Sequence, residues 1–271
     1  MKTVKEYIED NKNEEVSKLK RFAMLGNKEF QAKKWKELSE LAEPEIWTTP
    51  NSNMEYDILY NYITYTFERL VLENKVVISF TEQFAAFNTG LLTEHGEDIV
   101  CLFNSISNKK GTAWHLHGFY AETERIIGSN FKATPAVAEY FDNPEDMYFN
   151  PKYDILANFS HILEDNLDRF PQYLQEKGIK YLRNQLNANI PLTKKRIARN
   201  YRIAVPQYYM ESITYLVPLY FDETIMALAI EKLPSDRYRA NTIFNLNMAY
   251  KNARLLMKPE ANWLEIKRDE I

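Results

Sequence analysis

Glycine is scarce in this sequence. The 271-residue chain has 7 glycines, about 2.6% against a usual 7% or so. No two of them are spaced as G-x-G-x-x-G or within a G-x-x-x-x-G-K-[ST] run. Dinucleotide fingerprints, Walker loops and kinase-type glycine loops are therefore excluded. Cysteine is scarcer still. Cys101 stands alone, which rules out an intramolecular disulfide framework or a thiolate cluster and fits a reducing, cytoplasmic compartment. Long apolar runs are also missing. The longest, Tyr215 to Phe221, contains Pro218 and falls far short of the roughly 20 residues that cross a bilayer. Met1-Lys2-Thr3-Val4-Lys5-Glu6 leads into acidic residues and not into an apolar signal region, so no membrane partner is expected.

What is present is the composition of a soluble globular protein, with 45% hydrophobic and 27% charged residues. The length allows one core with an appendage, or two small domains. A net charge of -4 argues against wholesale coating by nucleic acid but permits a local basic face. The 18 Tyr and 15 Phe supply core material or base-stacking surfaces.

Residues 1 to about 45 read as polar amphipathic helices broken near Gly26-Asn27. Turn residues at Pro50 to Asn53 then precede a long helical stripe of Tyr56, Leu59, Tyr60, Ile63, Phe67, Leu70 and Val71. Strand-like runs follow at Val76 to Phe80, Ile99 to Phe103 and Ala113 to Tyr120, the last two separated by a hairpin loop at Asn108 to Gly111. Ile155, Leu156, Phe159, Ile162 and Leu163 recur with helical spacing, and further helices are expected over 171 to 188 and 191 to 204. Strand character returns at Ser212 to Phe221, Met226 to Ile230 and Thr242 to Leu246, with Asp222-Glu223 as a turn joining the first two. A helix near Met248 to Leu256 ends the pattern. These blocks predict an α+β fold, a mostly antiparallel sheet flanked by helices, with residues 1–49 as a helical N-terminal extension and 50–271 as the main domain. No fixed-period repeat is visible.

Few residues suggest catalysis. His115 and His117 share a strand face but have no evident third ligand for a metal, and Cys101 lies in an apolar run. His161 follows Ser160 on a helix, where neighbours do not face each other. No metal or other cofactor is expected. A basic face is more informative. Between Lys177 and Arg202 there are eight Lys or Arg and no Asp or Glu. In a helical reading Ile197, Tyr201 and Ala204 pack, while Lys195, Arg199 and Arg202 face solvent or a polyanion. Two polar clusters also stand out: Asn88-Thr89-Gly90 between apolar positions, and Tyr250 with Arg254 one helical turn apart.

Taken in order, several blocks resemble the OST-HTH-associated domain, a family found beside OST-HTH (LOTUS) modules and in stand-alone prokaryotic proteins. They are Ala85-Ala86-Phe87-Asn88-Thr89-Gly90-Leu91, Arg169-Phe170-Pro171, Arg199-Asn200-Tyr201 with Val205-Pro206-Gln207-Tyr208-Tyr209, Leu216-Val217-Pro218-Leu219, Ala227-Leu228-Ala229, and Met248 to Leu255 with Trp263-Leu264. The resemblance spans roughly residues 50 to 265, and no OST-HTH module is evident in the chain. It implies RNA or nucleotide binding, with Asn88, Thr89, Gly90, Arg199, Asn200, Gln207, Tyr250, Asn252 and Arg254 facing the ligand beside the basic Lys195 and Arg202. An enzyme acting on a nucleotide or RNA end, and a protein-interaction module whose polar motifs are structural, are the alternative expectations.

Overall fold

Helical spacing of Ile58, Leu59, Tyr62, Ile63, Phe67, Leu70 and Val71 gives a helix one whole face to bury, and all seven side chains are buried. This helix is the scaffold of the first of two compact units, 1–139 and 140–271. The computed structural model describes residues 2–11, 13–50, 52–106, 113–141, 143–209 and 211–265. The expected hairpin loop at 108–111 lies outside them.

The first unit runs α1 (Val4–Asp10), α2 (Lys18–Phe22), β1 (Ala23–Met24), α3 (Lys28–Leu41), α4 (Asp57–Leu72), β2 (Val77–Ile78), β3 (Phe84–Leu92), β4 (Asp98–Ser105), β5 (Trp114–Ala121) and α5 (Arg125–Asn130). Its sheet order is β1-β5-β4-β3-β2. Strands β2 to β5 form an antiparallel meander, and β1 joins β5 in parallel, with Ala23 opposite Trp114. The helices of residues 1–49 pack within this unit, α2 on α4 and α3 on β5. The compact division therefore falls at 139/140, whereas the sequence suggested residue 50. One sheet face carries an aromatic core in which Phe67 meets Phe22 and Phe87, each at 5.3 Å between ring centroids. On the other face Ala86, Val100 and Leu102 pack with Ile127 of α5 and with Phe131.

The second unit runs β6 (Asp154–Ala157), α6 (Phe159–Glu164), α7 (Gln172–Glu176), α8 (Gly178–Ile197), β7 (Val205–Tyr209), β8 (Ser212–Phe221), β9 (Thr224–Leu233), β10 (Arg237–Phe244) and α9 (Leu246–Ala253). Its order is β6-β10-β9-β8-β7, again a meander closed by a parallel first strand. The β8–β9 turn is the expected one, and Asp222 there takes φ 53°. Tyr215, Val217, Leu219, Leu228 and Ile230 pack with Leu163, Leu174, Leu182 and Leu186 of the helical layer. Leu216, Ala227 and Ala229 alternate with them along β8 and β9, and α9 contacts β7, β9 and β10.

The α+β class and the mostly antiparallel pairing hold, but there are two sheets. Two local expectations change, and one strand is added. Ile155 and Leu156 belong to a strand, because β10 offers them a parallel ladder. Residues 84–92 form a strand whose register shifts between Asn88 and Leu92. The helix expected over 191–204 begins earlier, runs through Pro191 and stops at Ile197.

Candidate nucleic-acid interface

Because α8 ends at Ile197, the packing role expected for Tyr201 is lost, and its ring is 55% exposed. Asn200 sets the local geometry: its side chain accepts a hydrogen bond from the Arg202 N–H at 3.2 Å and caps the 3₁₀ turn Tyr201–Ile203. Arg199 donates through Nη1 to the Lys195 carbonyl at 2.7 Å. Lys195, Arg199, Asn200 and Arg202 are all exposed. Their basic neighbours are engaged elsewhere: Arg196 lies over the Tyr220 ring at 4.5 Å and Lys194 reaches Asp154 at 3.8 Å.

Beside this turn lies a groove of about 510 Å³, lined among others by Tyr148, Tyr201, Arg202, Lys258 and Glu260. Tyr148, also 55% exposed, meets Tyr201 edge-on at 5.4 Å between centroids. Trp263 Nε1 donates to the Ile203 carbonyl at 2.8 Å, which ties the segment after α9 to the turn. The Tyr201 phenol, and to a smaller degree Glu260, push the pKa of Arg202 up. An exposed aromatic pair beside cations offers ring faces for stacking and positive charge for anions.

The other resemblance-derived residues are placed differently. In the first unit Asn88 is buried. Its Nδ2 donates to the Pro135 carbonyl at 3.0 Å, and its Oδ1 accepts from the Gly90 N–H at 2.9 Å. Thr89 is also buried, donating to the Ile99 carbonyl at 2.7 Å and accepting from the Leu91 N–H at 3.2 Å. Gly90 has φ 73°, and a Cβ there would come within 2.8 Å of the Tyr62 hydroxyl. This block braces a register shift and does not line an open cleft. In the second unit Gln207, Tyr250 and Arg254 are buried and Asn252 is half-buried. Of the three blocks, the Arg199-Asn200-Tyr201 turn is the one that fronts an open groove.

A second cleft, of about 790 Å³, lies over the second sheet at the end that carries Thr214, Glu231 and Arg239. Arg239 Nη2 donates to Glu231 Oε2 at 2.7 Å, Asn241 Nδ2 donates to the same oxygen at 3.1 Å, and Arg239 Nε donates to Asn241 Oδ1 at 3.0 Å. The bonds from Asn241 and then Arg239 hold the Glu231 carboxyl below its ordinary pKa. None of these residues drew notice in the sequence. The signal that finds them is cross-strand register: Thr214 faces Glu231, and Glu231 faces Arg239.

The groups that suggested chemistry are accounted for structurally. Tyr120 and His117 Nδ1 hydrogen-bond at 2.7 Å, and burial first, then Lys34 and His115, lowers the His117 pKa. Burial raises the Cys101 pKa well above the ordinary value. His161 pairs with Asp165 one turn along the helix. Among the described residues no group of three or more His, Cys, Asp or Glu is placed to hold a metal, and no helix is long and apolar enough to cross a membrane.

Neither curated proteins nor solved structures match this chain. A family model does, over residues 38–263, and this span takes in the blocks singled out above as far as Trp263. The chain belongs to the family described as Domain of unknown function (DUF3825).

Proposed function

We propose that this protein binds RNA through the groove at the end of α8, with a base stacked on Tyr148 or Tyr201 and the backbone phosphates met by Lys195, Arg199 and Arg202. The observation that carries this reading is the pair of tyrosines, each about half exposed, beside Arg202 in an open groove. Large rings left in solvent next to cations are costly surface unless a partner covers them. The segregation of eight basic residues between Lys177 and Arg202 in an acidic chain supports the same reading. So does the resemblance to the OST-HTH-associated domain, whose Arg199-Asn200-Tyr201 block builds this turn. In this reading the protein works in the cytoplasm, where a lone buried Cys101 needs no oxidising partner.

Fluorescence anisotropy with short labelled RNAs tests the proposal. Tyr148→Ala with Tyr201→Ala should weaken binding by about tenfold or more with no change in melting temperature, given roughly 1–3 kcal/mol per stacked base. The triple change Lys195→Ala, Arg199→Ala, Arg202→Ala should flatten the dependence of log K on log salt by about 2, at roughly 0.7 per phosphate. RNA affinity and salt slope that stay at the wild-type level in both variants would refute it.

A further inference from the structure

The open end of the second sheet carries hydrogen-bonding capacity that the fold does not use. Register places Gln207, Thr214, Glu231, Arg239 and Leu156 in one transverse row across all five strands, so their side chains share a sheet face. The bonds among Glu231, Arg239 and Asn241 use up Glu231 Oε2 and both ends of the Asn241 amide. Within this row three groups are not used by those bonds, and of them only the buried Thr214 Oγ1 is shut off from solvent with no hydrogen-bond partner among the described residues. The three are Glu231 Oε1, Arg239 Nη1 and Thr214 Oγ1. The first can only accept while the carboxyl is ionised, the second can only donate, and the hydroxyl can do either. Thr214 and Arg239 sit on the strands to either side of Glu231, each strand about 5 Å from the next. At the β7 edge of the cleft, Tyr209 offers a ring that is 54% exposed.

We propose that this cleft is a nucleobase site selective for guanine. Guanine presents two adjacent donors, N1–H and the 2-amino group, and the ionised Glu231 Oε1 has two lone pairs with which to accept from both. Its O6 acceptor lies beside them, within the reach of a donor such as Arg239 Nη1. Adenine and cytosine set one amino donor next to a ring acceptor that the carboxylate repels. Uracil flanks its single N–H with two carbonyl oxygens. Thr214 supplies a further polar group at the floor, and the Tyr209 ring flanks the base. The site is separate from the tyrosine groove, and it deepens the RNA reading by naming the base that RNA would offer here.

Isothermal titration of the full chain with guanosine, inosine, adenosine, cytidine and uridine 5′-monophosphates tests this without RNA. The guanine nucleotide should bind tightest, about tenfold above the inosine nucleotide, which lacks the 2-amino donor to a charged acceptor. Glu231→Gln should erase the preference. Equal binding of all five overturns the proposal. No mononucleotide binding at all also overturns it. The inosine comparison uses the wild-type chain, so it holds even if a variant misfolds. Failure of the RNA reading shows separately, as anisotropy indifferent to Tyr148 and Tyr201.

Discussion

The two units are built on one plan and finished differently. In each, a four-strand meander is closed by the unit's first strand lying parallel to its last. A long helix packs on the second strand of each meander, α4 on β3 and α8 on β8. A short helix follows the last strand in both, α5 in the first unit and α9 in the second. The sequence carries no matching period, so the duplication lives in topology alone. The difference lies in the polar residues of the sheets. Asn88 and Thr89 in the first sheet have partners for both donor and acceptor, and they serve as structural braces. Thr214, Glu231 and Arg239 in the second are left with unused capacity beneath a cleft. A buried amide in a motif is thus no guide to a ligand until its own partners are counted.

The contrast can be broken most forcefully in the first core. Phe87→Ala removes a fully buried ring between Phe67 and Phe103 and should cost about 3–5 kcal/mol in urea unfolding, while the remaining folded protein still binds RNA. Next, Asn88→Ala strands the Pro135 carbonyl and the Gly90 N–H, for a loss of about 1–3 kcal/mol. RNA affinity measured by anisotropy on the folded fraction should not change. A fall in affinity at unchanged stability would turn Asn88 from a brace into a contact and erase the distinction.

The smallest effect is in pH dependence, where the two units should part company. His117 has its pKa lowered below the usual 6.5, so its neutral form belongs to the fold. That contribution is complete above pH 6.5 and is lost as pH falls from there through the folded pKa. Glu231 is held below the usual 4.5, so its contribution is complete above pH 4.5 and is lost only in stronger acid. Thermal melts across this range should show a step below pH 6.5 that His117→Gln removes, and a separate step below pH 4.5 that Glu231→Gln removes.

Local signals were legible and long-range ones were not. Helix α4 could be read because its stripe has a single period, and the β8–β9 hairpin because Asp222-Glu223 sits between two apolar runs. Strand β3 was hidden: Ala85 to Thr89 is buried on both faces and shows no alternation, and Asn88-Thr89-Gly90 resembles a turn. Strand β6 took on helical spacing by running directly into α6, and only its pairing with β10 decides the matter. At the candidate interface the basic residues were legible as a run of charge, but the exposure of Tyr201 depends on where α8 stops. Glu231 and Arg239 could not be read at all, since each lies outside the apolar runs that marked strands and register alone brings them together.

The parallel closing strands bear on how the chain becomes a protein. Ala23 must find Trp114, and Asp154 must find Arg237, each about 80 to 90 residues further along. Closing such loops costs chain entropy before any ladder bond repays it. During synthesis neither sheet can be sealed until its last strand has emerged. Strand β6 therefore stays unpaired until β10 has been made, and in that interval a foreign strand can take the place of β10 beside it.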